Sequence, residues 1–128
     1  MRALLDTHAL LWALINPALL SRKAAEVIED EAGAMLVSAA SAWEIGTKVR
    51  KGRLPGAEAL ESDFVRTLEQ LGYILHSIDA ATALRAARFT AEHRDPFDRM
   101  IAAQALELDI PVISADRQLD TFGIRRIW

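Results

Sequence analysis

Four acids stand where a side chain can do chemistry. Asp6 ends the apolar run Arg2–Leu5, Glu44 lies in S-A-W-E, Asp98 in D-P-F-D, and Asp116 in S-A-D-R. Asp6 and Asp116 follow stretches that read as strands, while Glu44 and Asp98 begin helices. In an open parallel sheet such positions converge outside the carboxyl ends of the strands, where ligands bind. Carboxylates gathered there repel and raise one another's pKa unless a cation neutralises them. All-oxygen donors suit Mg2+, with Mn2+ as a substitute, rather than zinc; such ions keep several waters and bind phosphate groups. The chemistry expected is hydrolysis of a phosphate ester, in which the metal acidifies and orients a water and offsets charge on phosphorus and the leaving oxygen.

Each acid also has a structural job open to it. Asp95 reads as an N-cap with Pro96 at the first helical position, and Asp98 in the first turn complements the helix dipole. Ser41-Ala42-Trp43-Glu44 fits the capping box S-x-x-E, and Asp116 suits a cap of its own. Ser114 and Thr7, beside Asp116 and Asp6, carry hydroxyls that orient a ligand or bond the local backbone. His8 and His93 lie near the acids in sequence, but neither has a second histidine at zinc-motif spacing. No catalytic role is expected of either, since metal can supply the nucleophile without a general base. His93-Arg94-Asp95 imitates a kinase catalytic loop, but Met100 stands where that motif needs Asn and no glycine-rich loop exists.

The elements that must position these groups alternate along the chain. Arg2–Leu5 reads as a buried strand, and a helix over 9–15 ends near Asn16-Pro17. Ser21 caps a helix over 22–31, which Gly33 closes. Ala34–Val37 is a second strand, followed by a helix from Ser41 to Lys51-Gly52 and a single long helix over 57–70. Residues 73–78 suit an edge strand, Asp79 caps a helix over 80–89, and Ile101, Ala105 and Leu108 give the helix after Asp95 a core-facing stripe. Val112–Ser114, a helical turn over 117–120 and a last strand over 124–128 finish the chain. Such alternation predicts an α/β fold, a parallel sheet covered on both faces by helices through right-handed crossovers.

At 128 residues the length suits one domain, 1–128, with one core and one site. The net charge of −3 excludes a globally basic nucleic-acid binder and leaves a local basic rim open. The absence of cysteine excludes disulfides and thiolate metal sites and makes a reducing cytoplasm the expected compartment. No stretch is apolar and long enough to span a bilayer, so no membrane is expected.

Four segments together carry a resemblance: L-L-D-T-H-A-L-L-W at 4–12, S-A-A-S-A-W-E-I-G-T-K at 38–48, H-R-D-P-F-D-R-M-I-A-A-Q-A at 93–105 and I-S-A-D-R at 113–117. In this order and spacing the chain resembles the PIN-domain ribonucleases, and among them the VapC-type toxins of bacterial type II toxin–antitoxin pairs. The resemblance implies a three-layer α/β/α sandwich with about five parallel strands. It also implies metal binding by Asp6, Glu44, Asp98 and Asp116, with Asp98 rather than Asp95 as the ligand in D-P-F-D. It further implies a metal-dependent endonuclease acting on RNA, a cognate antitoxin whose tail covers the acidic site, and a homodimer. No acid of the pattern is missing, so nothing marks the chain as a dead enzyme.

Around that centre, Lys48, Arg50, Lys51 and Arg53 form the densest basic cluster. With Arg94, Arg99 and Arg117 they are candidates to hold an RNA backbone, or to be a solvated helix face. Leu11, Trp12, Leu14, Leu19 and Leu20 are either core or an apolar groove for a partner helix. Two other function classes are open to the same pattern. One is a non-catalytic RNA- or protein-binding module on the same fold. The other is an aspartate phosphatase or phosphoacceptor, against which Asp6-Thr7-His8 lacks a second Asp two residues on.

Overall fold

A computed structural model describes residues 1–128. Five parallel strands form one sheet in the order β3-β2-β1-β4-β5. They are β1 (Arg2–Leu5), β2 (Ala34–Ser38), β3 (Ile74–His76), β4 (Val112–Ile113) and β5 (Arg126–Ile127). The helices are α1 (Thr7–Ile15), α2 (Arg22–Glu29), α3 (Ala39–Arg50), α4 (Glu58–Ser62), α5 (Phe64–Gln70), α6 (Ala80–Arg88) and α7 (Pro96–Leu108). Turns of 3-10 helix occupy Pro17–Leu19 and Arg117–Phe122.

Strand periodicity sorts the apolar runs onto two faces. Ala3, Leu5, Met35, Val37 and Ile113 point to one side, where Leu10, Ile45, Phe64 and Leu68 cover them. Leu4, Leu36 and Val112 point to the other, against Ile101, Ala102 and Ala105 of α7 and Leu119 and Phe122. The result is the expected three-layer sandwich. The chain builds outward from β1 through β2 to β3, then crosses back to place β4 on the opposite side of β1. The strand order therefore reverses between β1 and β4, where a crevice opens at the carboxyl edge.

Several local expectations shift. Helix α1 starts at Thr7 rather than at residue 9, because Asp6 itself is the N-cap, its Oδ1 accepting from the Ala9 N–H at 2.7 Å. Helix α3 starts at Ala39, capped by Ser38 Oγ accepting from the Ala40 N–H at 3.0 Å. The capping box at Ser41–Glu44 is thus not formed: β2 runs straight into the helix and both residues lie inside it. The long helix expected over 57–70 is broken at Asp63, whose backbone leaves the helical region at φ −134°, ψ 39°. Ser62 Oγ bonds back to the Ala59 carbonyl there, and such polar side chains compete with the helical ladder. Gly33 does not close α2 with a left-handed residue. It is small because a Cβ would sit 2.8 Å from the Met1 carbonyl oxygen, which accepts from the Ala34 N–H beside it.

Leu11 is core, Trp12, Leu14 and Leu20 are partly buried, and Ile15 and Leu19 stay exposed. No helix is long and apolar enough to cross a membrane.

Arg99 has a role that charge patterning did not indicate. Its Nε donates to the Ala86 carbonyl at 3.0 Å, its Nη1 to those of Ala91 and His93, and its Nη2 to those of Ala87 and Phe89. All the N–H groups of the guanidinium are therefore committed to carbonyls, with Phe89 beneath it at 5.8 Å. The fork closes the C-terminus of α6, where orphan carbonyls and the helix dipole favour a cation, and pins the segment leading to α7. No donor is left for a phosphate, so the expected RNA contact does not apply to Arg99. Arg99→Lys keeps the charge but lacks the fork, and is expected to lower stability by about 2–4 kcal/mol in urea unfolding; a change below about 0.5 kcal/mol would contradict a structural role.

Candidate active site

The β1/β4 crevice is built by backbone register. Leu5 pairs with Ile113, the Asp6 N–H donates to the Ile113 carbonyl at 3.1 Å, and Ser114 follows on the neighbouring strand. The buried Ser114 hydroxyl accepts from the Asp116 N–H at 2.9 Å and lies near enough to the Asp6 carboxylate to favour its charged form. One hydroxyl thus stands between the two acids, as its place beside Asp116 in the sequence allowed. A cleft of about 290 Å3 opens here, lined by Asp6, His8, Trp12, Ala115 and Asp116. A larger hollow, about 490 Å3, lies beside the starts of β2 and β3 and is lined by Ile28, Gly33, Met35 and Tyr73 among others. It lies away from the acids at the carboxyl edge.

Helix α7 brings in Asp98. Asp95 caps this helix, its Oδ1 accepting from the N–H groups of Phe97 at 2.9 Å and Asp98 at 3.3 Å. Because Asp95 does the capping, the Asp98 carboxylate is free to face the crevice, where its Oδ2 lies 2.9 Å from His93 Nε2. His93 Nε2 and carboxylate oxygens of Asp98 and Asp116 all lie within 4.8 Å of one another. His93 was not expected in the site. Its signal was its place two residues before the N-cap, where the chain turns back across the helix mouth.

Glu44 arrives differently. It is buried on α3, 3% exposed, and its carboxylate is paired with the Lys48 ammonium one turn on. The Thr7 and Ser41 hydroxyls, 3.0 Å apart, tie α3 to the start of α1. Glu44 lies three residues beyond Ser41 on the same face of α3. Trp43 and Phe97 meet edge to face at 4.9 Å and join α3 to the first turn of α7. Glu44 lies outside the His93–Asp98–Asp116 grouping. Asp116 is exposed and also caps the turn that follows, its Oδ1 accepting from the Gln118 N–H at 2.9 Å.

The acids feel one another. Burial raises the Asp6 carboxyl above the usual carboxylate range and the Asp116 charge adds to this, while hydrogen bonds from Ser114 and Ala9 and the nearby His8 oppose it. Burial pushes Asp98 up to about 6, helped by the charges of Asp95 and Asp6 and opposed by His93. Asp6 thus feels the charge of Asp116, with which it lines the cleft, and Asp98 feels that of Asp6. Their carboxylates, with an imidazole beside them, fit a divalent cation in donor type.

Among basic residues, Lys48 is committed to Glu44, whereas Arg50, Lys51, Arg53, Arg94 and Arg117 are exposed.

The PIN domain family matches residues 3–124. No curated protein sequence matches. Three solved structures share the fold. VapBC2 from Rickettsia felis, bound to a DNA fragment from its promoter, aligns with a TM-score of 0.74 at 14% identity, covering 100% of this chain and 99% of that one. FitAcB from Neisseria gonorrhoeae gives 0.62 at 20% identity, covering 100% and 97%. VapBC-1 from nontypeable Haemophilus influenzae gives 0.66 at 16% identity, covering 99% and 97%. At these identities the structures speak for the fold. The family match spans every one of the four acids, and on that ground the chain belongs to the PIN domain family.

Proposed function

We propose that the chain is a Mg2+-dependent endoribonuclease, acting as the toxin of a type II toxin–antitoxin pair. The observation that carries this reading is the meeting of acids from remote segments: Asp6 and Asp116 line one cleft, Asp116 and Asp98 share the grouping with His93, and burial raises the Asp6 and Asp98 carboxyls. Asp6, Asp98, Asp116 and Glu44 are the residues that would hold the cation. When bound, such an ion acidifies a water and offsets the charge that builds on a phosphodiester during hydrolysis.

The protein's own contribution is placement. Ser114 stands between Asp6 and Asp116, His93 lies against Asp98, and Lys48 compensates the buried Glu44. Exposed Arg94 and Arg117 flank the acids in sequence and are suited to the sugar–phosphate backbone. The likeness to VapC-type toxins and to the folds of VapBC2, FitAcB and VapBC-1 supports an antitoxin partner, and exposed Ile15 and Leu19 on and after α1 suit a partner helix. Homodimerisation is consistent with the further exposed apolar side chains Trp43, Leu71, Ile74 and Leu84.

Incubation of the purified chain with structured RNA tests the activity. Cleavage is expected with Mg2+ or Mn2+, none in EDTA, and a loss of about a hundredfold or more in Asp98→Asn. Cutting without metal, or by the variant, would remove the proposal. RNA held tightly but left intact in Mn2+ would favour a binding module instead.

A second expectation concerns pH. The folded state holds the Asp98 proton more tightly than the unfolded chain, whose carboxyl titrates near 3.8. The stability from this group is therefore full below about pH 4 and is lost as pH rises through about 6. In EDTA at pH 7.5, Asp98→Asn is expected to melt a few degrees higher than the parent chain, by about 1–2 kcal/mol, with the gap closing toward pH 4. Added Mg2+ should stabilise the parent and leave the variant unmoved.

A further inference from the structure

We propose that His93 is itself a ligand of the divalent cation, so that the centre has mixed imidazole and carboxylate donors and favours Mn2+ or Co2+ over Mg2+. The inference rests on the metal-dependent reading above and adds to it the identity of a donor and the metal preference that follows.

The geometry is that of adjacent ligands. His93 Nε2 lies 2.9 Å from Asp98 Oδ2. Two donors at right angles around a small octahedral cation, each about 2.1 Å from it, stand about 3 Å apart. Asp116 completes a trio whose donor atoms all lie within 4.8 Å of one another, close enough for one ion to reach all three. The imidazole is held in place. Its ring stacks on Phe122 with centroids 5.5 Å apart and an interplanar angle of 28°. Its own carbonyl accepts from Arg99 Nη1 at 2.9 Å, and Asp95 fixes the helix start just beyond. The side chain is 15% exposed. A ligand so supported keeps its geometry without the metal, as an effective donor must. Imidazole binds Mn2+ and later transition metals better than it binds Mg2+, which prefers oxygen.

The alternative role, a hydrogen bond that merely orients Asp98, predicts no bond from nitrogen to metal. Mn2+ bound to the full-length chain separates the two through electron spin-echo modulation by 14N. The expected result is coupling from one directly bound imidazole in the parent chain, absent in His93→Gln and retained in His8→Gln. Calorimetry should show Mn2+ affinity falling about tenfold or more in His93→Gln, with Mg2+ affinity changing less than about threefold. Absence of nitrogen coupling in the Mn2+-loaded parent overturns the inference whether or not the variant folds. Coupling that survives in His93→Gln and vanishes in His8→Gln overturns it too. If Mn2+ binds without nitrogen coupling and is lost in Asp98→Asn, only this inference fails; if the parent takes up no metal, the nuclease reading fails with it.

Discussion

Negative charge held out of water at the end of the central strand is the constraint that the rest of the structure answers. Asp6 is 4% exposed where β1 meets α1; half-buried Asp98 of α7 feels its charge, and exposed Asp116 stands at the rim of its cleft after β4. Left to themselves, like charges in a poorly hydrated crevice separate or take up protons. Here they cannot separate. The β1/β4 register fixes Asp6 against Ser114, and α7 is anchored across the face of the sheet by Ile101, Ala102 and Ala105. The core packing holds together a site that its own electrostatics opposes.

Much of the polar bonding away from the core serves the same end. The Arg99 fork gathers the carbonyls between Ala86 and His93, so the segment before α7 is pinned from α6 and His93 stands at the helix mouth. Ser114 bridges two acids, the Thr7 and Ser41 hydroxyls lock α1 to α3, and Trp43 against Phe97 locks α3 to α7. Several of these residues are chain neighbours of an acid: Thr7 follows Asp6, Trp43 precedes Glu44, and Phe97 and Arg99 flank Asp98. The segments that bear the acids also bear the contacts that place them.

Much of this was legible in the chain. Apolar runs too short for a helix face, alternating with amphipathic stretches, specify strands buried on both faces, hence a parallel sheet. Asp95-Pro96 marked the start of α7 because a cap and a residue without an N–H are local chemistry. The same rule assigned Glu44 to a capping box, and there it failed. A carboxylate at that spacing fits a helix that starts at Ser41, but the end of β2 starts it at Ser38 instead. Arg99 was grouped with phosphate-binding residues because sequence shows charge and conceals which acceptors lie nearby.

The sequence by itself determined the fold class and the caps Asp95, Ser21 and Asp79, and marked four acids as candidates, because periodicity and capping depend on neighbours within a few residues. Tertiary structure decided which acids share a crevice, that His93 joins them, that Lys48 covers Glu44, and that Arg99 serves the backbone. Those outcomes depend on distances between segments remote in the chain, fixed by strand order and core packing, and a linear pattern does not hold them.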